Sequence, residues 1–257
     1  MRKLHVLDLF SGIGGFSLGL ERTGGFETVA FCEIEEFPRR VLAKHWPEVP
    51  CYDDVRTLTA ARLAADGITG IDVITGGFPC QDLSVAGKRA GLAGERSGLW
   101  SEIVRLTREL QPRYVIVENV ANLLRGPSEK RGGWFGRVLG DLAECGYNAE
   151  WENIPAAALG APHLRQRIWV IAAHSGEERI QRLKPQTVSR VSAFSWCKDV
   201  RRAADLRDRP DLPDPLFRGT CDGVPDWMDR VGACGNAVVP QIPEMIGRAI
   251  LEAEAQS

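Results

Sequence analysis

The chain has 257 residues, of which 44% are hydrophobic and 26% are charged, and its formal net charge at pH 7 is −2. Such a composition is typical of a globular protein with one substantial core, and it excludes a disordered or fibrous chain. A net charge close to zero gives no global basic field, so any surface that binds nucleic acid would have to be local.

Short β-rich segments alternate with helical segments over residues 1–173. The predicted strands are Leu4–Leu9, Thr28–Cys32, Ile71–Thr75, Tyr114–Val117, Asn148–Asn153 and Ile168–Ala173. The predicted helices are Gly15–Arg22, Pro38–His45, Thr59–Ala65, Leu99–Leu110 and Phe135–Cys145. This alternation predicts an α/β fold, with a mostly parallel, Rossmann-like sheet covered by helices on both faces.

The alternation stops after Ala173. Residues 174–231 contain few apolar periodicities and much Pro, Arg and Asp, so they predict a small irregular region that leans on the main domain or on a partner. A helical pattern returns after Pro243, with Ile246 and Ile250 on one face. We therefore predict a main domain of residues 1–173 plus 232–257 and a small region of residues 174–231.

The seven cysteines, at positions 32, 51, 80, 145, 197, 221 and 234, form no C-x-x-C pair. The number of cysteines is odd and their spacing lacks the C-x-x-C pattern, and both observations favour reduced thiols over a zinc site or a disulfide framework. The apolar runs are shorter than the ~18 residues that cross a bilayer, and Met1 leads into a strand rather than a signal-peptide core. We expect a cytoplasmic, monomeric protein without a metal.

The first predicted strand runs into a glycine-rich turn that precedes a helix. Glycines at 12, 14 and 15 allow a ligand to approach the backbone closely, although position 17 is Ser where the dinucleotide pattern G-x-G-x-x-G has its third glycine. The turn has no basic residue and the chain has no P-loop motif, so the sequence does not favour binding of a nucleoside triphosphate. An adenosine ligand with a cationic tail, such as S-adenosylmethionine, fits this turn better.

Three acids are interpreted as lying at successive strand ends, and we expect them to converge on one rim. Glu33 is placed to bind a ribose diol, and Asp54 could accept from an adenine amino group, with Asp8 at the first strand end. Each acid by itself is more often a solvated surface group.

Cys80 follows the buried strand Ile71–Thr75 through two glycines and Pro79. Most such cysteines are small core residues, but a thiol between a strand end and a polar, glycine-containing stretch, here Gln81–Gly98, is a candidate nucleophile. Glu118 directly follows the neighbouring predicted strand, where it could protonate an electron-poor ring or stabilise its charge. The alternative for Glu118 is a structural carboxylate.

Two further sets of basic residues stand out. Arg165 and Arg167 precede the last predicted strand and alternate, so they should lie on one side, where two guanidinium groups can hold a carbonyl or a phosphate. Between Arg179 and Arg202 there are seven basic residues and one acid. A solvated loop is the usual reading of such a run, whereas the aromatic residues within it favour a contact surface.

These segments together resemble the cytosine-C5 DNA methyltransferase family, in the family's order, over residues 4–173 and 232–250. The matching segments are Asp8-Leu9-Phe10-Ser11-Gly12-Ile13-Gly14-Gly15, Gly77-Phe78-Pro79-Cys80-Gln81, Glu118-Asn119-Val120, Arg165-Gln166-Arg167 and Gly235-Asn236-Ala237-Val238-Val239-Pro240. The resemblance implies the Rossmann-like α/β fold of an S-adenosylmethionine-dependent methyltransferase, in a compact, phage- or prophage-like member.

The resemblance also implies roles for individual residues. The implied cofactor-binding residues are Asp8, Phe10, Ser11, Gly12, Gly14, Gly15, Glu33, Asp54, Phe78, Asn236 and Ala237. The implied catalytic residues are Cys80, Glu118, Arg165, Pro79 and Asn119. The predicted nucleic-acid contacts are Gln81, Ser84, Lys88, Arg89, Arg167, Arg201 and Arg202.

The implied reaction is methyl transfer to C5 of cytosine in duplex DNA, on a base flipped out of the helix. Cys80 would add to C6, Glu118 would hold N3 and the amino group, and Arg165 would steady the ring carbonyl. The alternatives are a tRNA cytosine-C5 methyltransferase and a catalytically silent DNA-binding regulator. A restriction endonuclease is a candidate functional partner.

Three departures from the family pattern bear on these roles. His163 stands where many members have Gln, and Ile34 stands after Glu33 where an aromatic residue could stack on adenine. Residues 174–231 are short for a region that reads DNA sequence, which predicts a short target or loose specificity.

Overall fold

The computed structural model describes residues 2–78, 98–120, 133–156, 165–174 and 236–255. Within these ranges, seven strands form one sheet in the order β3-β2-β1-β4-β5-β7-β6. The strands are β1 Leu4–Leu9, β2 Phe26–Cys32, β3 Cys51–Tyr52, β4 Val73–Gly76, β5 Tyr114–Val120, β6 Tyr147–Pro155 and β7 Gln166–His174. The helices are α1 Gly15–Glu21, α2 Glu36–His45, α3 Ala60–Ala65, α4 Gly98–Leu110, α5 Gly133–Glu144 and α6 Gln241–Ala255.

The predicted mostly parallel α/β sheet is confirmed. Its antiparallel edge, formed by β7 and β6, does not follow from the alternation of strands and helices. Strands β1 to β5 are parallel, whereas β7 pairs antiparallel with both β5 and β6. No helix is predicted between the last two strands, so the rule that links parallel strands to helical crossovers does not apply to them. The short strand β3 was also missed, since two residues carry no periodicity.

Strand β5 is longer than predicted, and this changes the setting of Glu118. The prediction ended the strand at Val117, but pairing with β7 continues through Glu118, Asn119 and Val120. Glu118 therefore lies on a strand that is hydrogen-bonded into the sheet, which fixes its backbone more firmly than a loop would.

Apolar side chains from both faces of the sheet form two cores. One face packs against α3, α4 and α5, through residues such as Leu63, Ile103 and Val138. The other face packs against α1 and α6, through Leu20, Ile246 and other buried apolar residues. Each fully buried aliphatic side chain contributes about 1.5–3 kcal/mol relative to its exposed state, so both helical layers are firmly held.

Helix α6 lies against α1 at a close approach that requires glycine. A Cβ atom on Gly19 would lie 2.2 Å from the carbonyl oxygen of Pro240, which no side chain could tolerate. At its other end α6 carries the buried Glu254, which pairs with Arg113 and accepts a hydrogen bond of 2.8 Å from the hydroxyl of Tyr114. The helical pattern predicted after Pro243 is thus present and buried.

The division of the chain into a main domain and a small region stays a prediction, because residues 175–235 lie outside the described ranges. Among the helices described, none has the length and apolar character needed to cross a membrane.

Candidate active site

The turn after β1 is shaped by three residues with positive φ. Phe10 and Gly12 have φ of 52°, and Gly14 has φ of 85°. A Cβ atom on Gly14 would also lie 2.6 Å from the ring of Trp46, so this position needs glycine for two independent reasons. Around Gly12 no atom of the described residues lies within 4 Å of a Cβ position, so the backbone there faces open space.

Glu33 locks this turn from the neighbouring strand end. Its carboxylate accepts hydrogen bonds from the amides of Gly12, at 2.7 Å, and Glu35, at 2.8 Å. Ser11 adds a second tie, because its amide donates to the carbonyl of Cys32 at 3.2 Å. Each carboxylate oxygen can accept more than one hydrogen bond, so Glu33 can hold the turn and still receive a hydroxyl group.

Asp8 lies beneath the turn and is fully buried. Its carboxylate accepts from the hydroxyls of Ser17, at 2.8 Å, and Thr75, at 2.7 Å. Burial raises the pKa of Asp8 from 3.8 to about 7, with the two hydroxyls opposing the shift and the charge of Glu33 adding to it. Asp8 was predicted to lie on one rim with Glu33 and Asp54, whereas its side chain is fully buried and accepts both hydrogen bonds inside the protein.

Asp54, at the end of β3, forms an ion pair along its own turn. Its carboxylate accepts from the amide of Arg56 and from the guanidinium group of Arg56, each at 2.9 Å. These contacts lower the pKa of Asp54, with the side-chain hydrogen bond as the largest cause. Ile34, which follows Glu33, is 62% exposed. An exposed aliphatic side chain therefore occupies the position at which an aromatic residue could stack on adenine.

Glu118 faces the end of β4. A Cβ atom on Gly77 would lie 3.5 Å from Glu118 Oε2, and the chain continues from Gly77 through Phe78 to Pro79 and Cys80. The carboxylate is buried, and burial raises its pKa, against the opposing charges of two arginines. The start of the segment that carries Cys80 is thus placed beside a buried carboxyl group.

Arg167 and Arg165 supply those opposing charges. Arg167 Nε lies 3.0 Å from Glu118 Oε1, and both guanidinium groups lower the pKa of Glu118, as the predicted alternation of the two arginines requires. Burial lowers the pKa of Arg165, and the charge of Arg167 lowers it further. Arg167, predicted as a DNA contact, is thus the direct partner of Glu118.

Asn119 anchors the beginning of the same segment. Its Nδ2 donates to the carbonyl of Phe78 at 3.1 Å, and its Oδ1 accepts from the amide of Val120 at 2.8 Å. The ring of Phe78 is buried and lies 5.3 Å from the ring of Trp100, measured between centroids. Phe78 therefore packs into the core, which leaves its backbone as the part nearest the site.

The segment that contains Asn236 and Ala237 passes next to the glycine turn. A Cβ atom on Gly15 would lie 2.5 Å from the carbonyl oxygen of Val238. Asn236 is exposed and Ala237 is half-buried. The start of the last described range thus lies against the first helix, beside the turn that begins the site.

Several predicted site residues lie outside the described ranges. They are Pro79, Cys80, Gln81, Ser84, Lys88, Arg89, Arg201 and Arg202, together with His163 and the basic run from Arg179. Their roles stay predictions.

Sequence reasoning missed Ser17 and Thr75. A signal was present: an aspartate inside an apolar strand must find donors, and a hydroxyl stands where the dinucleotide pattern has its third glycine. Among the described residues, no group of His, Cys, Asp and Glu is arranged to hold a metal ion.

Comparison with known proteins places these features in context. The family model of C-5 cytosine-specific DNA methylases matches residues 4–212. Type II methyltransferase M.Sau3AI of Staphylococcus aureus is 36% identical over 185 residues, which cover 66% of this chain and 43% of that protein. Type II methyltransferase M2.BsuMI of Bacillus subtilis is 34% identical over 174 residues, covering 66% and 42%. The match thus spans less than half the length of these relatives.

Solved structures with a similar fold include the following two. A prophage-encoded E. coli protein whose structure is described as a DNA modification methyltransferase has a TM-score of 0.57 and 30% identity, over 68% of this chain and 47% of that chain. The Dnmt2 methyltransferase of S. pombe has a TM-score of 0.56 over 70% of this chain and 55% of that one, at 22% identity, which supports the fold alone.

Proposed function

Because the chain belongs to the C-5 cytosine-specific DNA methylase family, we propose that it transfers a methyl group from S-adenosylmethionine to C5 of cytosine in duplex DNA. The observation that carries this proposal is the buried carboxyl of Glu118, paired with Arg167 and facing Gly77, three residues before Cys80. A tRNA substrate is the disfavoured alternative, since the family and the named relatives are DNA and type II methyltransferases.

The residues around the glycine turn fit the adenosyl cofactor. Gly12 borders open space within the described residues, and Glu33 beside it has acceptor capacity for ribose hydroxyls. Asp54 can accept from an adenine amino group if Arg56 shares its carboxylate. Asn236 and Ala237 would close the pocket from the side of α1. When it is bound, the cofactor supplies an electrophilic methyl group.

Cys80 begins the chemistry in this proposal. Cytosine C5 is too weak a nucleophile until a thiolate adds at C6, which forms the S–C6 bond and places electron density at C5. A free thiol with a pKa of ~8.5 is only a few per cent ionised at pH 7, so the site must lower that pKa or remove the proton during attack. After C5 is methylated, the C5 proton leaves and the S–C6 bond breaks, which frees Cys80.

Glu118 makes this addition accessible. Its raised pKa favours a protonated carboxyl, which can donate to ring N3 while its second oxygen accepts from the exocyclic amino group. Arg167 limits how far that pKa rises and fixes the direction of the carboxyl. The ring carbonyl would be held by Arg165, as the resemblance implies, and Arg167, in contact with Glu118, is a second candidate for this role.

Asn119 has a supporting part. By holding the carbonyl of Phe78, it would fix the start of the segment that presents Cys80 to the base. The target cytosine has to leave the duplex stack to reach these groups, at a cost of a few kcal/mol. We propose that the predicted contacts Lys88, Arg89 and the basic run to Arg202 help to meet that cost.

The test is methylation of DNA by the purified chain with methyl-labelled S-adenosylmethionine, followed by mapping of 5-methylcytosine. The wild type and a Cys145→Ser control, which changes a buried thiol at the end of α5, should label cytosine C5, whereas Cys80→Ser should not. Label on tRNA and not on DNA would transfer the proposal to RNA. Equal labelling of DNA by Cys80→Ser would refute the role of the thiol.

The partners follow from the same proposal. Since the named relatives are type II methyltransferases, a restriction endonuclease of the same specificity is the functional partner to look for. Protection of methylated DNA against a panel of endonucleases would identify that specificity.

A further inference from the structure

The side chain of Asp8 joins three elements of the site from below. Asp8 belongs to β1, and its two carboxylate oxygens accept hydrogen bonds from Ser17 in α1, at 2.8 Å, and from Thr75 in β4, at 2.7 Å. Asp8, Ser17 and Thr75 are all fully buried. We call these three residues the Asp8 link.

The two ends of the Asp8 link lead to different halves of the site. Ser17 lies in the first turn of α1, two residues after Gly15, which approaches the segment at Val238. Thr75 is the penultimate residue of β4, and the chain runs from there to Gly77, beside Glu118, and on to Cys80. The link therefore spans the distance between the predicted cofactor turn and the start of the predicted nucleophile segment.

The link is also short and firmly constrained. Asp8 and Thr75 are direct partners in the pairing of β1 with β4, so one carboxylate connects neighbouring strands and the helix above them. A buried polar group that loses its hydrogen-bond partner destabilises the fold. A displacement of α1 relative to β4 would break one of the two bonds, so the two elements move together.

We propose that Asp8 is a positioning residue, which couples the cofactor turn to the strand that leads to Cys80. S-adenosylmethionine bound at the turn thereby also orders β4 and the start of the nucleophile segment. The inference rests on the proposed function, from which it takes the cofactor and the nucleophile. It goes beyond that function because it assigns the coupling to Ser17 and Thr75, to which the proposed function gives no role.

The first test measures binding of S-adenosylmethionine by calorimetry, without DNA. Thr75→Val removes only the hydroxyl, at a strand position remote from the glycine turn along the chain, and we expect it to weaken cofactor binding about fivefold or more, the scale of a coupled site. Thr75→Ser keeps the hydroxyl and should bind as the wild type does. Thr28→Val is the matched control: Thr28 is buried on β2, and its hydroxyl has no hydrogen-bond partner among the described residues.

The second test measures hydrogen exchange of residues 73–76 in the protein without cofactor. Ser17→Ala should raise exchange in β4, and Thr28→Val should not. This arm also decides the inference if Thr75→Val does not fold.

The outcomes separate this inference from the proposed function. Wild-type affinity in a folded Thr75→Val variant, or unchanged exchange of β4 in Ser17→Ala, would overturn the role of Asp8. Failure of the wild type to bind S-adenosylmethionine would overturn the proposed function, and the exchange arm would then still decide whether α1 and β4 are coupled.

Discussion

The pH dependence of stability should carry the signature of the buried carboxyl of Asp8. Its pKa is raised from 3.8 to about 7 in the folded protein, so the protonated group stabilises the fold. That contribution is fully present below about pH 4 and is lost as the pH rises through about 7. At about 1.36 kcal/mol per pKa unit, the whole effect is about 4 kcal/mol, of which about 3 kcal/mol falls between pH 5 and pH 8.

Asp8→Asn removes the titration and keeps the shape of the side chain. We expect the free energy of unfolding of this variant to rise by about 3 kcal/mol relative to that of the wild type from pH 5 to pH 8, because only the wild type loses the contribution of the protonated Asp8 over this range. Urea unfolding at four pH values over this range measures the difference. A constant offset from the altered hydrogen bonds would displace the whole curve without changing its slope.

Asp54→Asn is the matched control. The pKa of Asp54 is lowered by its contacts with Arg56, so its contribution is present above its unfolded-state pKa and is lost only as the pH falls through the folded value, below the measured range. The difference curve for this control should be flat. A flat curve for Asp8→Asn as well would show that Asp8 is ionised in the fold at pH 5, and would refute the reasoning.

Three more predictions follow from described contacts. Gly14→Ala should lower the free energy of unfolding by about 1–2 kcal/mol from its positive φ alone, and more from its clash with the indole ring after α2, as measured by denaturant unfolding. Tyr114→Phe removes the hydroxyl that donates to Glu254 and should lower the free energy of unfolding by about 1–3 kcal/mol in the same assay. An unchanged free energy of unfolding would mean that the carboxylate finds another donor. Arg167→Met should destabilise the fold by about 3 kcal/mol at pH 8, and by less at pH 5, because burial raises the pKa of Glu118 and a larger fraction of its carboxyl is protonated at the lower pH; an equal loss at both values would contradict the raised pKa.

Much of the fold could be predicted from the sequence because alternating strands and helices have strong periodic signatures. The prediction missed what depends on pairing rather than on periodicity. Strand β5 extends through Val120 because β7 offers it a partner, and β3 forms in two residues because β2 lies beside it. Neither partner can be identified from the segment itself.

The candidate site shows the same division. Its motifs predicted which segments meet, but not which atoms pair within them. Asp8 was expected on a rim, and only the burial of β1 shows that it serves the interior. The contact of Arg167 with Glu118 depends on register and could not be predicted from two arginines in one motif.

The contact between Gly15 and Val238 has a kinetic consequence. It joins the beginning of the described chain to its end, and contacts of long sequence separation form late because the loop between them has to close first. The central strands can therefore assemble before the segment at Val238 packs against α1. During refolding, the protein should gain its sheet before it gains the closed turn, so ligand-binding competence would be among the last properties to appear.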